Sequence, residues 1–167
     1  MDSIAGASRG ADRSIAAARA GRRSLQAIPP VLPGWLVTRS RLDRLLDDSV
    51  QRRLTTVVAD AGFGKSTVLA AWAASRRCAW YTAGPQDRRL SSLAAGLLDA
   101  IRLIVPDMPA EVDPSADGRG PDAAIEELRR ADALGAALAL ALHERLRREL
   151  VLIVDDLHEL PAGEPGA

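Results

Sequence analysis

The stretch ADAGFGKSTVLAAW, residues 59–72, restricts the fold more than any other, because it holds the only lysine of a 167-residue chain in which the other members of a Lys plus Arg total of 22 are arginine. It follows a β-branched apolar run, RLTTVVA (53–59), and opens into an Ala/Leu/Trp-rich segment. That order predicts a buried strand over 53–59, a glycine loop over 59–66 and a helix from Ser66 to about Ser75. A loop of this kind turns backbone N–H groups toward one point, and the helix that follows adds the positive end of its dipole there. The expected ligand at such a point is a phosphate chain.

Each loop position answers a physical demand. Residues 59–66, ADAGFGKS, match the pattern Gly, four spacers, Gly-Lys-Ser/Thr, with Ala59 in place of the first glycine. Gly62 and Gly64 supply the open conformations that let the backbone of Ala61, Gly62, Phe63 and Gly64 wrap an anion. Lys65 would reach the β- and γ-phosphates as a compact ammonium on a long stem, a task for which a planar guanidinium is poorly shaped. This explains a single lysine among arginines. Ser66 would place its hydroxyl on Mg²⁺, and Thr67 would lie near the α-phosphate. The second half of the expected site is ELVLIVDDLHEL (149–160), where an apolar run carries a strand over 150–154 to two carboxylates. Asp155 at the strand end would hold Mg²⁺, and Asp156 would orient or deprotonate an attacking water. A nucleotide with Mg²⁺ is therefore the expected ligand; no guanine-reading motif is evident, and physics alone does not choose between ATP and GTP.

Between these landmarks, strands and helices alternate. Residues 1–30 are expected to form a flexible Ala/Ser/Gly/Arg-rich leader, and IPPVLPGWLV (28–37) is kept from helix by its prolines and glycine, which sets the domain at 31–160. Ser40 is placed to cap a short helix through Leu42, Leu45 and Leu46. CAWYT (78–82) reads as a second strand. Leu90, Leu93, Ala94, Leu97, Leu98 and Ile101 share a helix face. A Pro/Asp/Gly loop over 105–121 leads to a helical stretch over about 122–148 with a break at Gly135, and residues 161–167 are expected as a ragged end. This alternation implies an α/β fold with a parallel sheet and crossover helices. An apolar fraction of 47% with 3% aromatics implies an aliphatic, alanine-rich core. Zero formal net charge favours no polyanion or anionic membrane as a direct partner, and one cysteine excludes an intramolecular disulfide framework and fits a cytoplasmic location. Trp35, Trp72, Trp80 and Tyr81 are expected to pack, Cys78 to be a small buried hydrophobe, His143 to lie on a helix surface and His158 in a loop.

Taken together, LTTVVADAGFGKSTVLAAWAA, AWYT and LVLIVDDLHEL resemble the N-terminal ATPase of the signal-transduction (STAND) NTPases. That group includes the maltose-regulon activator and the large LuxR-type transcriptional regulators, and the resemblance covers roughly residues 30–160. It implies a parallel-sheet P-loop NTPase of the ASCE type acting as an ATP/ADP-controlled switch. A small-molecule or protein inducer and DNA would be met only through C-terminal domains absent from these residues, with self-association in the active form. LVTRSRLDRLL (36–46) is similar to the motif that lies near the adenine in these proteins, which implies Val37 and Arg39 as base-side residues. The resemblance also implies a strand inserted between the Asp-Asp strand and the phosphate-loop strand. Residues 161–167 are too short to supply it, so the expectation is a domain incomplete at its C-terminus, poorly soluble and with little hydrolysis of its own. A small-molecule kinase and a non-catalytic truncated fragment are the alternative readings.

Overall fold

Valine, isoleucine and aromatic side chains in two five-residue runs build the sheet, and helices cover it on both faces. The computed structural model describes residues 25–108 and 123–160. The leader up to residue 24, the loop over 109–121 with the start of the expected helix at 122, and the 161–167 end lie outside the described residues. Helix α1 spans Ser40–Ser49, α2 Lys65–Ala73, β1 Cys78–Thr82, α3 Leu90–Ile104, α4 Ala123–Arg145 and β2 Val151–Asp155, with short 3₁₀ turns at Pro85–Arg88 and Leu157–Glu159. Strands β1 and β2 pair in parallel, with Cys78 opposite Val151, Trp80 opposite Ile153 and Thr82 opposite Asp155. The expected α/β class with a parallel sheet is observed.

Because side chains alternate along a strand, the register divides the core into two layers. Trp80, Val151 and Ile153 face α2 and pack with Ala70, Trp72 and Ala73, joined by Leu32, Leu46 and Val50. On the opposite face Ala79 packs with Leu98, Ile101, Val105, Met108 and Ala141, so α3 and α4 cover that side. Tyr81 lies there too, fully buried beside Ala27 and Ala100. α3 approaches this ring so closely that a Cβ at Gly96 would stand 2.2 Å from it.

Several expectations change on folding. The run 53–59 is not a ladder strand: residues 54–60 are irregular, and Leu54 and Val58 are 81% and 87% exposed. β-branched side chains favour a pleated strand only when a neighbour supplies the N–H and C=O partners, and among the described residues the sheet consists of β1 and β2 alone. Ser40 is the first helical residue rather than the cap; Arg39 occupies the cap position without a side-chain cap bond. α4 runs through Gly135 without a break. Residues 25–30, read as leader, include Ala27 in the core and Gln26, whose amide donates to the Thr82 carbonyl at 2.8 Å. Trp35 is 82% exposed instead of packed, whereas Trp72, Trp80 and Tyr81 are buried as expected. Cys78 is half-buried, and His143 lies exposed on α4. No helix among the described residues is long and apolar enough to cross a membrane.

Candidate functional site

The glycines of the loop adopt the conformations that their sequence positions demand. Gly62 and Gly64 have φ of 80° and 78°, in the left-handed region that costs an L side chain roughly 1–2 kcal/mol. Gly64 is the residue that caps α2, so the chain passes from the left-handed turn directly into the helix at Lys65. The first N–H groups of a helix have no acceptor within it, and here they follow an exposed loop formed by Ala61, Gly62 and Phe63. Phe63 is largely exposed, its ring packed into neither core layer.

Lys65 folds back over the loop it follows. Its Nζ donates to the carbonyl of Ala59 at 2.7 Å and to that of Asp60 at 3.0 Å, which places the ammonium against the loop backbone. Carbonyl oxygens are weaker acceptors than charged oxygens, so a phosphate arriving in the loop can take over the same donor without a net loss of hydrogen bonds. Ser66, next in the helix, turns the other way. Its Oγ donates to Asp155 Oδ1 at 3.0 Å, a contact between residues 89 positions apart in the chain. The reason lies in register: Val151, Ile153 and Asp155 share the face of β2 that α2 covers, so the carboxylate at the strand end points toward the first turn of that helix. Asp155 is buried and is the last residue of the strand, closing it rather than following it.

Asp156 leaves the strand with φ of 53°, the one non-glycine residue with positive φ among the described residues. Its carboxylate is half-exposed and lies 3.8 Å from His158 Nδ1, while His158 Nε2 lies 3.5 Å from Glu159 Oε1. His158, expected in a loop, lies in the 3₁₀ turn Leu157–Glu159 close to Asp156. Thr67 is half-buried in the first turn of α2, and Val37 and Arg39 lie exposed on the segment leading into α1. The structure brings Ser66 against Asp155, while Lys65 precedes Ser66 and bonds to the loop carbonyls and Asp156 follows Asp155 in the chain.

Two polar groupings were not foreseen from the sequence. Asp87, buried after β1, accepts from Tyr81 Oη at 2.8 Å, from the Gly84 N–H at 2.9 Å and from Gln26 Nε2 at 3.3 Å. On the other face, Asp47 of α1 accepts from Trp72 Nε1 at 2.9 Å and from the Arg76 guanidinium, which also lies 4.5 Å over the Trp72 ring. The Gly84–Asp87 contact follows the local three-residue spacing of a helix start, with Pro85 after the cap, but the contacts of Asp87 with Tyr81 and Gln26 and those of Asp47 follow no short-range rule that the sequence could have displayed.

A family model described as "AAA ATPase domain" matches residues 37–164. The chain belongs to the AAA ATPase domain family. The match includes the glycine loop, both strands and the Asp155–Asp156 strand end, and the observed α/β arrangement is that of a P-loop NTPase. This AAA ATPase domain is similar to the serine/threonine-protein kinase PknK of Mycobacterium tuberculosis, 31% identical over 137 residues that make up 79% of this chain and 12% of the relative. It is also similar to the HTH-type transcriptional regulator MalT of Yersinia pestis, 37% identical over 68 residues, 40% of this chain and 8% of that protein. The chain therefore spans about an eighth or less of the length of these relatives.

Proposed function

We propose that this chain is the ATP-binding module of a STAND-type, LuxR-like transcriptional regulator, in which bound nucleotide sets a switch state and slow hydrolysis resets it. The observation that carries this reading is the Ser66–Asp155 hydrogen bond, which joins the phosphate loop to the acidic strand end in one site. In this reading Lys65 moves from the loop carbonyls to the β- and γ-phosphates, and the N–H groups of Ala61 to Gly64 surround the β-phosphate. Thr67 borders the α-phosphate, and Val37 and Arg39 border the base.

Mg²⁺ fits the donor set. Ser66 and Asp155 present a hydroxyl and a carboxylate within 3.0 Å of each other, both hard oxygen donors, and phosphate oxygens and water would complete an octahedron. The ion would neutralise charge on the phosphates. Asp156, solvent-accessible at the strand end, would orient a water toward them.

The two relatives support a shared module rather than one output, because their names describe a serine/threonine-protein kinase and an HTH-type transcriptional regulator. A cytoplasmic regulator with an inducer, DNA and self-association belongs to the same proposal. Calorimetric titration of the chain with ATP in Mg²⁺ tests it: saturable binding lost in Lys65→Ala is expected. Absence of binding at millimolar ATP overturns the reading, as does phosphoryl transfer to a small acceptor, which would make the module a kinase.

A further inference from the structure

Helix α1 buries none of its side chains completely. Its apolar hold on the body comes from the partly buried Leu46 and from Val50, the residue that follows the helix, which pack beside Ala70, Trp72 and Ala73. A ten-residue helix, ~15 Å long, attached by so little apolar surface depends on its polar contacts for a defined position. Those contacts converge on one carboxylate. Asp47 accepts from Trp72 Nε1 at 2.9 Å and from Arg76, and Arg76 also donates to the Trp72 carbonyl at 2.8 Å while lying over the indole ring. The Trp72 ring is itself held in the core, so the clamp ties α1 to a rigid point near the C-terminal end of α2. α2 begins with Lys65 and Ser66, and α1 begins directly after Arg39. One unit thus carries the phosphate-binding residues and the other carries the segment proposed to border the base.

We propose that Asp47, Trp72 and Arg76 are positioning residues that set the distance between the base-side segment, residues 37–39, and the phosphate loop. None of the three touches the nucleotide; they act through α1. The inference rests on the nucleotide-binding reading above. It makes a distinction that a general packing role does not: loosening the clamp weakens the part of affinity contributed by the nucleoside and leaves the phosphate part intact.

The test compares titrations with Mg-ATP and Mg-tripolyphosphate for the wild-type chain, Asp47→Asn and Trp72→Phe. Trp72→Phe keeps an aromatic ring in the core and removes the indole donor, while Asp47 is surface-accessible, so both variants are expected to fold. Circular dichroism checks this directly. Both should bind ATP roughly threefold to tenfold more weakly, the order of one charge-assisted hydrogen bond shared with solvent, and bind tripolyphosphate as the wild type does. Equal weakening of both ligands, or no change in either, overturns the positioning role alone. A wild-type chain that binds tripolyphosphate and ATP equally also overturns it, since no base-side contribution then exists to position. Failure of the wild type to bind either ligand overturns the underlying nucleotide reading instead.

Discussion

Ser66 Oγ and Asp155 Oδ1 meet at 3.0 Å across the boundary between the first turn of α2 and the end of β2. The donor comes from the residue after the lysine, the acceptor from the residue that ends an apolar strand, and folding alone makes them neighbours. If they share a divalent cation, the charge of Asp155 matters more than its shape. Asp155→Asn can keep a hydrogen bond with Ser66, yet it should lower Mg-ATP affinity by about tenfold or more while leaving ATP binding in excess chelator unchanged. Parallel titrations with and without Mg²⁺ read the difference; equal losses in both would assign Asp155 a purely structural part.

Gly64 hands the loop to α2 with φ of 78° and nothing within 4 Å of where a Cβ would stand. Space is therefore no obstacle to Gly64→Ala; backbone conformation is. The variant should lose about 1–2 kcal/mol of stability from left-handed strain. Its loss of nucleotide affinity should be larger than that of an exposed control, because relaxing the strain turns an N–H out of the loop. Chemical denaturation together with ATP titration measures both.

Gly96 presents the opposite situation. A Cβ there would meet the Tyr81 ring at 2.2 Å, and that ring is fully buried with its hydroxyl donating to Asp87. Gly96→Ala should destabilise the fold by about 1–3 kcal/mol through overpacking. Gly135→Ala, on an exposed turn of α4 with nothing within 4 Å, should stabilise it by up to about 1 kcal/mol through helix propensity. Opposite shifts in melting midpoint for two identical substitutions would verify the packing described.

The Trp72 indole N–H, aided by the Arg76 guanidinium, holds the Asp47 carboxyl below its ordinary value of 3.8, against a smaller opposing effect of desolvation. The folded state then binds fewer protons than the unfolded state in this range, so stability rises with pH there. The clamp's contribution should be complete above pH 3.8 and disappear as pH falls through the lower folded value. The stability difference between wild type and Asp47→Asn should accordingly be flat from neutral pH to mildly acidic pH and shrink only in stronger acid. Denaturation curves at stepped pH follow it.

Burial pushes the Cys78 thiol above its ordinary 9.0, with the Arg76 charge opposing the shift in part. Alkylation by iodoacetamide should therefore be slower than that of a free thiol at pH 8 and still climbing at pH 9, since the thiolate is the reactive form. Urea should restore the ordinary rate. A fast reaction in the native protein would contradict the half-buried placement.

The residues of the candidate site were legible because the features that mark them are local. A left-handed glycine, a lysine on a helix start and a carboxylate ending an apolar strand are each demanded by neighbours within a few positions, so Gly62, Gly64, Lys65, Ser66 and Asp155 could be named from spacing. α3 was legible because its apolar residues recur at three- and four-residue steps over several turns, and β1 and β2 were legible as short apolar runs bounded by polar and charged residues.

Other features depended on partners distant in the chain. Residues 53–59 carry strand-like side chains but form no ladder among the described residues, because a strand is completed by another strand's backbone and not by its own sequence. Trp35 and Trp72 look equivalent as letters; one is exposed and the other is buried with its N–H on Asp47. Gln26 reaches Thr82 and Asp87 from a segment whose composition suggested no fixed place. Which residues suit a phosphate chain can be read from residue order, since that requirement is met by local backbone geometry and residue type. That Ser66 meets Asp155 and Asp47 meets Trp72 cannot, because the parallel register and helix packing that bring them together are collective properties of the folded chain.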